Sequence, residues 1–242
     1  MNDVTRDIWA RWRGTTKARI GLGRSGDALP TAPLLEFQAA HSRARDAVHG
    51  AADFEALTAA LAPHSVIRVH SQAADRATYL RRPDLGRRLD PASILKPGSY
   101  DLALVIADGL SARAVNSHAA TVAKLCLEKL PGWRIAPIVL AEQARVALGD
   151  EIGEKLHAAT VAVLIGERPG LSVADSLGIY LTWAPRTGRA DSERNCISNI
   201  HAAGMSHMAA ADLLVWLLHE ARRRQITGIS LKVDPTASLP PT

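Results

Sequence analysis

Only two cysteines, Cys126 and Cys196, occur in 242 residues, too few and too far apart for a disulfide framework or a four-thiolate metal site. Phe, Trp and Tyr together make up 4% of the chain. That supply is thin for the stacking platforms that hold single-stranded nucleic acid, although the formal charge is +5 and the pI near 9.6. Long apolar runs are missing as well: Leu213 to Leu218 is bounded by Asp212 and His219, far short of the roughly 20 residues of a membrane helix. The start, MNDVTRDIWARWRG, carries Asp3, Arg6 and Asp7 where a secretory signal has an apolar core. A cytoplasmic chain with no membrane and no nucleic-acid partner is expected, and a basic nucleic-acid-binding module is the alternative reading of the charge. No two of the nine histidines stand four residues apart, so helical metal-ligand spacing is absent and no metal site is expected.

What is present is a hydrophobic fraction of 47%, enough for one sizeable core. Residues 4 to 13 predict a short amphipathic helix with Ile8 and Trp12 on one face. Pro33 to His49 predicts a longer one, with Thr31 as N-cap and Gly50 beyond the end, and a further short helix follows around Asp53 to Leu61. From residue 64 the texture changes to β-branched apolar runs at 64–71, 101–109, 134–140, 160–167 and 178–185, which read as buried strands. Helical stretches at 111–130 and 142–157 lie between them. A last one at 206–224 carries Ala210, Leu214, Leu217 and Ala221 as its buried stripe and Arg222 to Arg224 at its C-terminal end. This alternation predicts an α/β fold: a mainly parallel, doubly wound (Rossmann-like) sheet with an N-terminal helical appendage. Residues 1–62 would form the appendage, 63–234 the sheet domain and 235–242 a flexible tail.

Three patterns invite a functional reading. Gly21-Leu-Gly-Arg-Ser-Gly26 matches the dinucleotide fingerprint, and a nicotinamide oxidoreductase would use it. Its flanks do not fit, because a polar stretch precedes it and Pro30 and Pro33 delay the next helix, so an ordered loop is expected. Asp108, Ser111 and His118 suggest a hydrolase triad, but Ser111 and His118 are seven residues apart on one expected helix, about 10 Å along its axis. Ser111 reads instead as an N-cap. Arg76, Arg81, Arg82, Arg87 and Arg88 crowd the segment DRATYLRRPDLGRRL, which is either a solvated basic loop or an interface. In an open α/β sheet a ligand crevice lies beyond the carboxyl ends of the strands. That rule selects residues 107–111, the stretch after Leu140, and 165–172, where Glu167 and Arg168 follow a buried strand among Gly166, Pro169 and Gly170.

The stretches ARIGLGRSGDALPT, RRPDLGRRL, VIADGLSARAV, LIGERPGLS, DSLGIYLTWAP and RNCISNI, in this order, closely resemble the small (light) subunit of ethanolamine ammonia-lyase from about residue 15 to 233. The resemblance implies an ammonia-lyase subunit that, with a large subunit, converts ethanolamine to acetaldehyde and ammonia by adenosylcobalamin-dependent radical chemistry. In the family the large subunit is a TIM barrel that holds substrate and catalytic groups, so no catalytic residue is expected here, and residues 1–62 would contact that subunit. Carried over by motif, the cofactor contacts fall at Val146 in QARVALGD, Glu167 in GERPGL and Cys196 in RNCISN. No Asp is followed two residues later by His, so the segment through which some cobalamin proteins ligate cobalt is absent, and the resemblance implies base-on cofactor. Some relatives carry a longer N-terminal extension associated with a bacterial microcompartment. This chain starts almost at the shared region, so its cytoplasmic location, inside or outside such a compartment, is left open.

Overall fold

The apolar runs of the second half pair into one six-stranded sheet. A computed structural model describes residues 7–16 and 18–232, so the expected tail 235–242 and the first residues of the expected 4–13 helix lie outside the described residues. The strands are β1 (Val66–His70), β2 (Tyr100–Ala107), β3 (Ile138–Glu142), β4 (Ala158–Gly166), β5 (Leu177–Trp183) and β6 (Asn195–Ile200). Their order across the sheet is β1-β3-β2-β4-β5-β6, with β1 to β4 parallel and β5 and β6 antiparallel to their neighbours. The fold is therefore α/β with a mixed sheet, parallel over four strands. The chain turns back after β4 because a parallel return needs a crossover, usually a helix, and the connection 167–176 contains none. Residues 195–200 form a strand that their polarity hides: β6 is an edge strand, with only Ile197 and Ile200 buried.

Helices α1 (Ala10–Arg13), α2 (Thr31–His49) and α3 (Phe54–Ala60) precede the sheet, and α4 (Arg76–Arg81) follows β1. Between β2 and β3 the expected single helix is broken into α5 (Ala112–Ala114), a π-helical turn over Val115–Ala119 and α6 (Ala120–Glu128). Helix α7 (Leu148–Leu156) joins β3 to β4, and α8 (His207–Arg224) is followed by a 3-10 turn at Gly228–Ser230. Side-chain caps begin several of these. The Asp53 carboxylate accepts from Ala56 N, the Asp75 carboxylate from Thr78 N, Ser111 Oγ from Ala114 N and Ser206 Oγ from Ala209 N.

Strand β2 is buried on both faces, which is why it reads as a continuous apolar run. Leu102, Leu104 and Ile106 share one core with Val122 and Ala123 of α6 and Leu214, Leu217 and Ala221 of α8. Ala103 and Val105 share the other with Leu148, Ile152 and Leu156 of α7. The expected stripe of α8 is buried as predicted, whereas α2 buries only Ala40 and Ala47 and leaves Leu34, Leu35 and Phe37 exposed.

Two polar devices lock this frame. At the carboxyl end of β2 the buried carboxylate of Asp108 accepts hydrogen bonds from Gly109 N (2.9 Å), Gln143 N (3.0 Å) and Ala144 N (3.0 Å), tying the end of β2 to the turn after β3. Arg76 faces it at 3.6 Å and donates to Gly109 O and to Val48 O at the end of α2. Burial pushes the Asp108 carboxyl above the ordinary range, against the pull of these donors and the guanidinium. Farther along the sheet, Arg194 forms a fork on Asp150 of α7 (2.6 and 2.8 Å), with both side chains 2% exposed. It also donates to Thr182 Oγ1 and Arg189 O, so the fork joins α7, β5 and the loop that leads from β5 toward β6.

Removing one partner of the buried fork, as in Asp150→Ala, leaves an uncompensated charge and is expected to cost about 3–5 kcal/mol in urea unfolding, most of it recovered when Arg194 is replaced by Met as well. Asp108→Asn turns an amide N–H2 toward backbone donors and is expected to cost about 1–3 kcal/mol, read by the same unfolding curves.

Candidate functional site

Beyond the carboxyl ends of the parallel strands lies a cleft of about 500 Å³ lined by Tyr79, Gly109, Leu110, Arg145, Val146, Ile165, Gly166, Glu167, Arg168 and Tyr180. Segments that follow β1, β2, β3 and β4 each contribute, together with β5. Its base is a backbone-to-backbone contact. Leu110 N donates to Gly166 O at 2.9 Å, and a Cβ on Gly166 would lie 2.1 Å from Ser111 O, so only glycine permits the approach.

Glu167 is the first residue after β4 and is half-buried. Its N–H donates to Ser176 O, and its Oε2 accepts from Ser176 Oγ and from Asn199 N at the far end of β6. Oε1 takes no hydrogen bond among the described residues, which leaves an oriented carboxylate with one open acceptor. Val146 sits in the turn between β3 and α7 and brings apolar surface. Cys196 lies in β6 directly opposite Tyr180, which lines the cleft, while Cys196 itself stands outside the lining. Desolvation pushes the Cys196 thiol above its ordinary value, so the thiol form dominates at neutral pH.

The strand-end rule therefore selects the segments that hold Arg145, Val146 and Glu167, without marking Arg145 among its neighbours. It does not find Tyr79. Tyr79 is fully buried, with Arg145 over its ring at 4.2 Å and Arg76 at 4.8 Å, and its hydroxyl donates to Ala144 O. Burial raises its phenol well above the usual range. The arginine-rich segment divides accordingly. Arg76 turns inward, Arg82 forks onto Asp84, and Arg81, Arg87 and Arg88 are exposed.

The other patterns resolve differently. Among the described residues no strand precedes Gly21, and the next helix begins only at Thr31; Arg13 instead donates to Gly21 O. Ser111 Oγ accepts from Ala114 N and donates to Ala174 O, while His118 Nδ1 meets His207 Nε2 at 2.9 Å and His118 Nε2 meets Asp175 O, so Ser111 and His118 have separate partners. Among the described residues no three His, Cys, Asp or Glu side chains gather into a metal-holding group, and no helix is long and apolar enough to cross a membrane.

With this geometry in hand, comparison with known proteins is direct. The family model described as ethanolamine ammonia-lyase light chain (EutC) matches residues 6–232. The ethanolamine ammonia-lyase small subunit of Ralstonia nicotianae is 52% identical over 95% of this chain and 89% of its own length. The small subunits of Pseudomonas syringae pv. tomato (52%, covering 96% of this chain and 85% of theirs) and Pseudomonas aeruginosa (51%, 93% and 86%) are similar. Six sequence stretches, a family model spanning nearly all the described residues and relatives identical at half their positions agree, and the chain belongs to the ethanolamine ammonia-lyase light-chain (small-subunit) family.

Proposed function

We propose that this chain is the subunit that completes a cobalamin site for a large subunit, and that the two together convert ethanolamine to acetaldehyde and ammonia. The observation that carries the reading is the half-open cleft with Glu167 at its edge, its Oε2 anchored and its Oε1 open. The residues fit the group. A corrin ring is apolar on its faces and rimmed by carboxamides. Val146, Leu110 and Ile165 offer apolar surface, and Glu167 accepts amide N–H with the added strength of a charged acceptor. Cys196, across from Tyr180, offers a small soft contact in its neutral thiol form. The cofactor, base-on, supplies the radical chemistry when bound; this chain's residues bind it, orient it and keep water from one side.

A cleft of about 500 Å³ covers only part of such a ligand, so a second wall is needed, and the large subunit supplies it in this reading. Residues 1–62 are the proposed docking segment. Ile8, Trp12, Leu29, Leu35 and Phe37 are each more than a third exposed, an apolar concentration that the sheet domain does not match. Residues 63–234 form the cobalamin-binding domain, and α6 and α7 on opposite faces of β2 support its description as doubly wound and Rossmann-like.

Acetaldehyde release from ethanolamine and adenosylcobalamin is expected only when this chain and its cognate large subunit are both present, and omission of either should abolish it; release by the large subunit alone would sink the reading. Glu167→Ala is expected to weaken cobalamin binding by the complex about tenfold in equilibrium dialysis, the loss of one charge-assisted hydrogen bond to the cofactor, with only a modest drop in thermal midpoint from the lost Ser176 and Asn199 contacts.

A further inference from the structure

Arg145 precedes Val146 and lines the same cleft. Its backbone is fixed at both ends: its N–H donates to Gly86 O (2.8 Å), and its carbonyl accepts from Leu148 N at the start of α7. The guanidinium lies 4.2 Å over the Tyr79 ring, and Nη2 donates to Tyr79 O at 3.3 Å. Gly86, from the DLGRR turn, makes room for this stack, because a Cβ there would stand 3.0 Å from both Arg145 Cγ and Tyr79 Cδ2. The motif that reads in the sequence as a basic loop or an interface thus forms a shelf for one arginine.

The charge on this shelf is not used within the described residues. No carboxylate among the described residues pairs with Arg145, whereas Arg76, 4.8 Å from the same ring, faces Asp108. Arg145 Nε is buried and unpartnered, one of three such side-chain atoms among the described residues, with Arg76 Nη2 and Gln143 Oε1. All three belong to segments at the carboxyl edge of the parallel strands, and Arg145 is the one whose side chain lines the cleft. A buried donor and a partly buried charge without partners are costly unless something meets them.

We propose that Arg145 is a further cofactor-contacting residue, its guanidinium donating to the carbonyl oxygen of a corrin carboxamide. This rests on the reading of the cleft as a cobalamin site. The choice of carboxamide follows from what shares the cleft. Glu167 offers an open acceptor and Arg145 a guanidinium with an unpartnered donor, and a carboxamide answers both, with one carbonyl oxygen and one N–H2 group. A phosphate would satisfy Arg145 but meet the Glu167 carboxylate with like charge.

The test uses the assembled complex with the large subunit and equilibrium dialysis of hydroxocobalamin and of cobinamide, which keeps the ring carboxamides but lacks the phosphodiester and its nucleotide. Arg145→Met keeps an apolar stem against Tyr79 and removes every donor; Arg145→Lys keeps the charge. Arg145→Met is expected to raise the dissociation constant of both probes about tenfold, with Arg145→Lys recovering part of the loss and the complex still assembling with an unshifted thermal midpoint. If Arg145→Met impairs assembly, Arg145→Ala is measured under the same criteria. Wild-type affinity in either assembled donor-free variant overturns the proposal. A loss seen with hydroxocobalamin and absent with cobinamide overturns the carboxamide assignment, because it puts the contact on the phosphodiester. A wild-type complex that binds neither probe fails differently: it removes the cobalamin reading itself, and the role of Arg145 with it.

Discussion

The architecture of the cleft depends on one buried carboxylate. Asp108 collects backbone N–H groups from the end of β2 and from the turn after β3, two segments that belong to adjacent strands but lead to helices on opposite faces of the sheet. Where the connections diverge, the backbone leaves donors that no ladder can satisfy, and the carboxylate takes three of them. Arg76 then balances the charge and reaches Val48 O, so the same group that closes the strand ends also ties α2 to the sheet. Gln143, held at positive φ by this arrangement, sets the path of the turn that presents Arg145 and Val146.

Much of the fold was legible because the core strands are apolar on both faces. The runs around β2 and β4 admit no other placement once their length and β-branched content are considered. Legibility fails where burial is one-sided or local. β6 shows only two buried residues and reads as a polar loop, and Pro137 pushes the start of β3 to Ile138, so the strand expected at 134–140 runs on to Glu142 and the following helix begins only at Leu148. The π-helical turn at Val115–Ala119 has no periodic signature over so short a span.

For the site, position and chemistry separate. The end of β4 is visible as a strand followed by a charged, glycine-bounded turn, so Glu167 can be singled out from the residues alone, whereas Val146 and Cys196 enter through resemblance. Arg145 and Gly86 lie in stretches that these routes reach, but their packing with Tyr79 is legible to neither, since the contact exists only because α4, the turn at 85–87 and the turn after β3 meet in space. Local sequence carries no record of which ring an arginine will cover.

The strand order has a kinetic consequence. β2 and β4 are neighbours in the sheet, yet β3 and α7 lie between them in the chain, about 50 residues from the end of one to the start of the other. A chain emerging from the ribosome can pair β2 with β3 early, but the opposite edge of β2, LALVIA, has no strand beside it until β4 is made. At about 5–20 residues per second that interval lasts on the order of several seconds, long compared with most local folding events. The exposed apolar edge of a half-made sheet, more than the stability of the finished one, is where this chain meets its greatest risk of aggregation.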